Sequence, residues 1–187
     1  MNKKRCPWAI GPLDIEYHDN EWGRETHNDQ MLFEYLILEG MQAGLSWSLI
    51  LKKRENFKRA FDNFDYNICA NYTDEYLESL REDASIIRNK LKIYSVRKNA
   101  LAFIKVQKEF GSFDKYIWGF TNYKKINNKL ESYKDAASES ELSTKISKDL
   151  KKRGFSFVGS TIIYSYMQAI GMINDHEKGC FCYKECC

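Results

Sequence analysis

Cysteine and histidine gather at the two ends of this chain. Cys6 precedes His18 by twelve positions, and His176-Glu-Lys-Gly-Cys180 sets an imidazole and a thiol four apart with a glycine before the thiol. Two thiolates and two imidazoles form a closed tetrahedral set for zinc, and a site of that kind holds structure instead of activating water. The halves are separated by most of the chain, so an ion there would fasten the N-terminal arm to the C-terminal tail. Spacing leaves other assignments open: Cys6 as a buried thiol, His176 as a helix-capping residue, and Cys182, Cys186 or Cys187 as competing ligands. The third histidine, His27, reads as a surface loop residue. No apolar run follows the basic start, so neither a secretory signal nor a disulfide framework is expected.

A second group lies in Glu39-Gly-Met-Gln-Ala-Gly-Leu-Ser-Trp47. A carboxylate ends an apolar helix, a glycine-containing turn follows, and an indole begins the next helix. Carboxylate and indole thus flank one bend, and Trp8 and Tyr17, close in sequence to the candidate ligands, can be brought to the same place. A carboxylate among aromatic faces suits a flat cationic base, whose attraction to the rings is worth about 1–2 kcal/mol when desolvated. The plainer alternative makes Trp47 a core residue and Glu39 a solvated helix end.

The elements that must position these groups read as helices. Leu32, Phe33, Leu36 and Ile37 give one apolar face to a helix over Asp29 to Met41. Ser46 caps a second helix to about Phe61, and Thr73 caps a short one with Leu77 and Leu80. A turn at Asp83 to Asn89 leads into Lys90 to Phe110, with Ile93, Val96, Ala100, Leu101 and Ile104 inward. Ser112 caps a helix through Trp118. Asn122 to Ser140 is polar and aperiodic and reads as a loop. Helix resumes near Leu142 and stops at Gly154, and Ser160 caps the last long helix. The expectation is an all-α fold of one domain over residues 1–187.

The 187 residues carry a net charge of +3, which permits a nucleic-acid partner without arguing for one. Basic residues cluster at Lys52-Lys53-Arg54, Arg88 to Lys92 and Lys151-Lys152-Arg153; each cluster reads as a phosphate contact or as a solvated helix end. No apolar run is long enough to span a bilayer, and a cytoplasmic monomer is expected.

Several blocks, in order from about Cys6 to Tyr183, closely resemble the 3-methyladenine DNA glycosylase I family. They are Tyr17-His-Asp-Asn-Glu-Trp-Gly23, Leu38 to Trp47, Leu51 to Asn56, Lys151 to Gly159 and Asn174-Asp-His-Glu-Lys-Gly-Cys180. Ordered blocks are far more specific than one short motif. The resemblance implies a helix-hairpin-helix glycosylase bundle, with its hairpin at about 73–110. It implies a structural zinc on Cys6, His18, His176 and Cys180, packing the ends 1–25 and 170–187 together. It also implies that Glu39, Trp47 and Tyr17 bind the excised base with Trp8 beside them. Gly44 and Leu45 match the turn that enters the gap left by a flipped nucleotide.

The chain departs from the family pattern at Asp14 and in the hairpin. Asp14 stands where relatives can carry a tyrosine. The hairpin Ile86 to Lys92 lacks the usual glycines, with Ser85 and Leu91 in their places, so Arg88, Asn89 and Lys90 are expected to carry the DNA contact. The implied activity is excision of 3-methyladenine from double-stranded DNA by base flipping, with Glu39 as the catalytic group and no lysine placed for lyase chemistry. Asp114 sits in the first turn of a helix and is not expected to act. Two other classes compete. A non-catalytic zinc-stabilised module for damaged DNA would use the same hairpin. A zinc hydrolase is disfavoured by a four-ligand site, which leaves no position for water.

Overall fold

The structure is a computed structural model describing residues 3–187. Its centre is helix α2 (Asp29–Gln42). Leu32, Phe33, Tyr35, Leu36, Ile37, Leu38 and Met41 are each at most 2% exposed. Sequence periodicity predicts one buried face; instead nearly every side of α2 is covered, the pattern of a core helix. It packs against α3 (Trp47–Ala60), α6 (Lys90–Phe110), α7 (Phe113–Gly119) and α9 (Ser160–Ala169).

The expected caps at Ser46, Thr73 and Ser112 form. Each side chain accepts from the amide three residues on, at 3.3, 3.2 and 3.0 Å, and opens α3, α5 (Asp74–Ser79) and α7. Ser160 does not cap α9; Gly159 holds that position, and the Ser160 hydroxyl donates to Glu139. On α6, Ile93, Val96, Ala100 and Phe103 follow one i, i+3/i+4 stripe into the core. Leu101 lies a helical step off it and is 47% exposed, so it is not the inward residue expected.

Two helices and a pair of short strands were not expected. Helix α1 (Pro12–Asn20) buries Asp14, Tyr17 and His18, an i, i+3, i+4 stripe that no apolar pattern reports. Helix α4 (Tyr66–Cys69) is a single turn capped by Asp65. Within the expected loop, β1 (Ile126–Asn127) pairs in parallel with β2 (Ile173–Asn174). Helix α8 (Glu141–Lys152) then packs on α9.

The two ends of the chain are joined by backbone. Gly23 N donates to Gln168 O (3.1 Å), Thr26 N to Ile170 O (3.0 Å) and Phe181 N to Lys4 O (3.0 Å). Gly171, at φ +77°, makes this contact possible: a Cβ there would stand 2.3 Å from the Arg24 carbonyl carbon. Among the described residues, no helix is long and apolar enough to cross a membrane.

Candidate active site

The bend between α2 and α3 faces α1, α9 and the loop before α8 across a cavity of about 170 Å³. A single water needs roughly 10–15 Å³ by this measure, so the hollow has room for a ligand of many atoms. Its walls include Trp8, Tyr17, Trp22, Glu39, Trp47 and Tyr133. All four residues expected to meet the base are therefore brought together. Tyr17 on α1 and Trp47 at the start of α3 place their ring centroids 5.1 Å apart at 50°.

Four residues of this wall each carry a buried polar atom with no hydrogen-bond partner among the described residues: Trp8 Nε1, Tyr17 OH, Glu39 Oε2 and Trp47 Nε1. Buried polar groups are ordinarily satisfied, and each orphan costs about 1–3 kcal/mol. Four converging on one hollow make two indole donors, a phenol and a carboxyl available to a ligand. Glu39 is 4% exposed, and burial pushes its carboxyl up to about 8. Tyr17 is driven well above its ordinary value, first by burial and then by Glu39.

Cys6, His18, His176 and Cys180, all buried, converge at the far side of Trp8. Their ligand atoms lie within 4.8 Å of one another and could hold a metal ion. Cys180 Sγ is 3.4 Å from His18 Nε2 and 3.6 Å from His176 Nδ1, and Cys6 Sγ is 3.6 Å from His176 Nδ1. The outer ring nitrogens are also engaged. His18 Nδ1 meets Asp19 at 2.8 Å, and His176 Nε2 meets the Trp22 carbonyl at 3.2 Å. Asp19 is itself gripped by Arg5, which lowers its carboxyl with help from His18. Such outer partners orient imidazole ligands. Cys182 and Cys186 are buried but lie outside the tetrad, and Cys187 is exposed.

The expected DNA-facing residues are at the surface. Gly44 is exposed at φ +74°, and Leu45 beside it is 37% exposed. Arg88, Asn89 and Lys90 are exposed. Arg88 forms no ion pair among the described residues, whereas Lys90 pairs with Glu78 at 2.9 Å. Asn89 Oδ1 is committed to capping α6 through Lys92 N (3.1 Å). Of the other clusters, Arg54 is held internally by Glu21 and Glu34, and Arg153 by Asp149 and Glu109.

Asp14 does not line the cavity; it accepts from Ser48 Oγ at 2.8 Å and ties α1 to α3. Asp114 is also absent from it, bonded instead to His27 and Tyr123. Sequence reading missed Trp22, Gln42, Tyr133, Ser165 and Gln168 as wall residues. Trp22 lies within a block carrying the family resemblance, but Tyr133 comes from the aperiodic loop, where no pattern points inward.

Fold and site together define a helical DNA base glycosylase with an aromatic, acid-bearing pocket. A profile of the methyladenine glycosylase family matches residues 8–183. DNA-3-methyladenine glycosylase 1 of Escherichia coli is 44% identical over 181 residues, covering 96% of this chain and 97% of that protein. A crystal structure of 3-methyladenine DNA glycosylase I superposes with TM-score 0.94 at 42% identity, covering 96% of this chain and 100% of the other. The Staphylococcus aureus enzyme, solved to explain 3-methyladenine recognition, gives 0.92 at 32% identity, with 95% of each chain covered. The chain belongs to the methyladenine glycosylase family, whose named members hydrolyse N-glycosyl bonds in DNA repair.

Proposed function

We propose that this chain excises 3-methyladenine from alkylated double-stranded DNA by flipping the nucleotide into the Trp8–Tyr17–Glu39–Trp47 cavity. The observation that carries the reading is the convergence of four unpartnered buried polar atoms on that hollow. A base within the duplex is unreachable, so the nucleotide must leave the stack, at a cost of a few kcal/mol. Arg88 and Lys90 contact phosphate, and Leu45, at the tip of the turn after Gly44, fills the gap that is left. Asn89 contributes by holding the hairpin's shape.

N3-methylation makes adenine cationic while it is joined to the sugar, which weakens the glycosidic bond. The base departs neutral and needs no acid to protonate it. The protein's task is then to select the cation and hold the sugar where water can attack. The rings attract the charged base face-on. Glu39, whose charge is disfavoured by burial, gains a counter-charge when the base enters and accepts a hydrogen bond from it. In this role Glu39 touches the reacting base and is the catalytic residue.

The Cys6–His18–His176–Cys180 tetrad is read as a structural zinc site. Bonds of about 2.3 Å to sulfur and 2.0 Å to nitrogen give a tetrahedral sulfur–nitrogen edge of about 3.5 Å. The spacings of 3.4–3.6 Å support that reading. Held by these four residues, zinc would supply only a fixed geometry, since four protein ligands would leave no coordination position for substrate.

The test is incubation with a methylated duplex and chromatography of what comes free. Release of 3-methyladenine by wild-type protein, with an abasic site left in an otherwise uncut strand, is the expected result. DNA binding with no base released would instead mark a non-catalytic module.

A further inference from the structure

Lys92 is a buried cation that none of the steps above uses. It is 6% exposed, and its Nζ donates to Met41 O at 2.8 Å and Ala43 O at 2.7 Å. These carbonyls stand at the C-terminal end of α2, where intrahelical partners run out and the helix dipole is negative. An ammonium withdrawn from water needs such acceptors, and the helix end needs such donors. With Nζ occupied by two carbonyls and the side chain absent from the cavity wall, Lys92 is not placed as a nucleophile.

Its place in the fold joins two working parts. Glu39 lies two residues before Met41, Gln42 lines the cavity, and Gly44 and Leu45 follow Ala43. Lys92 itself sits in the first turn of α6, two residues past Lys90, with its amide held by Asn89. The hairpin is gripped on its entry side as well. The Ser85 carbonyl accepts from Lys53 at 2.9 Å and from Asn56 at 3.2 Å, both on α3. On the exit side, Lys92 is, among the described residues, the only side chain that hydrogen-bonds a carbonyl between 41 and 45.

We propose that Lys92 is a positioning residue that locks the turn 43–46 to the hairpin 86–90, so that DNA gripped by the hairpin meets Leu45 and Glu39 in one register. This rests on the glycosylase reading above. It separates two quantities that a merely structural lysine would move together. Binding of the free base depends on the cavity alone, and duplex binding depends on the hairpin alone. Excision depends on their relative placement.

The experiment compares wild type, Lys92→Met and Lys92→Gln in four measurements. These are melting temperature, affinity for free 3-methyladenine by tryptophan fluorescence, affinity for undamaged duplex, and single-turnover excision at saturating enzyme. Folded Lys92→Met is expected to hold both affinities within about threefold of wild type while excision falls at least about tenfold. Lys92→Gln, keeping an uncharged donor group, falls between. Excision within about twofold of wild type in folded Lys92→Met overturns the proposal, as does a parallel fall in base affinity. Failure of both variants to fold also overturns it, since Lys92 would then be a stability element only. Wild-type protein that releases no base sinks the functional reading and this proposal with it. Wild-type excision matched by Lys92→Met sinks the proposal alone.

Discussion

The Trp8 indole meets the His18 imidazole edge-on, with ring centroids 5.3 Å apart. One ring lines the cavity and the other belongs to the Cys/His tetrad, so the two sites share a wall. His18 is also the neighbour in sequence of Tyr17, a cavity-wall residue whose hydroxyl has no hydrogen-bond partner among the described residues. Whatever fixes the tetrad therefore fixes two of the four groups offered to a base.

Removing a ligand should loosen both sites. On the zinc reading proposed above, Cys6→Ser is expected to lower metal content and to cost about 3 kcal/mol or more of stability. For a chain of this size that lowers the melting temperature by roughly 6–12 °C. Metal content by mass spectrometry and thermal unfolding check it; a variant that melts like wild type would show that the tetrad does not hold the ends.

Glu39→Gln separates function from stability. Losing a charged hydrogen bond costs about 1.5–3 kcal/mol, so base binding and excision should fall roughly ten- to 150-fold. The fold should not suffer, because the carboxyl is desolvated and unpartnered where it sits. The sign of the pH effect follows. Burial raises the folded-state value from 4.5 to about 8. Between those values the unfolded chain loses a proton that the folded chain keeps, so stability declines as pH rises through that window. Glu39→Gln should flatten that decline in a series of thermal melts.

The same carboxyl sets a limb in the rate profile. Ionisation of Glu39 in the free protein should make kcat/KM rise with pH toward about 8, and the limb should vanish in Glu39→Gln. A profile identical in the two proteins would place the titrating group elsewhere.

Tyr17→Phe deletes an orphaned hydroxyl. A buried donor without a partner adds nothing to the fold, so melting should hold or rise slightly. Base affinity should fall about fivefold, the loss of one hydrogen bond of about 1 kcal/mol. A large drop in melting temperature would mean that the hydroxyl already has a structural role.

On the proposed DNA face, Leu45 and Arg88 should divide the work. Leu45→Ala leaves an exposed side chain shorter and stability unchanged, but slows single-turnover excision. Arg88→Gln should weaken duplex binding and reduce the salt slope by about one. An unchanged slope would remove Arg88 from the phosphate contacts.

The long helices were legible because α2, α3 and α6 carry apolar stripes and side-chain caps at their starts. The capping roles of Ser46, Thr73 and Ser112 are local chemistry, readable within four residues. Helix α1 was not, since its buried stripe is Asp14, Tyr17 and His18 and its burial depends on distant partners. Leu101 was misplaced because an apolar residue one step off a stripe looks like part of it. The pocket's acid and its three principal rings were accessible through motif resemblance. Tyr133 and Gln168 were not, since each reaches the cavity only after the chain ends have packed together. Lys92 looked like one member of a basic cluster; its burial follows from where α2 stops, which no local pattern encodes.

The most direct measurement is titration of the protein with free 3-methyladenine, followed by the fluorescence of the cavity tryptophans. Saturable quenching at one base per chain, weakened at least about tenfold in a Glu39→Gln variant that melts no lower than wild type, is the result this account predicts. Equal binding by the two proteins, or no quenching in either, would contradict it.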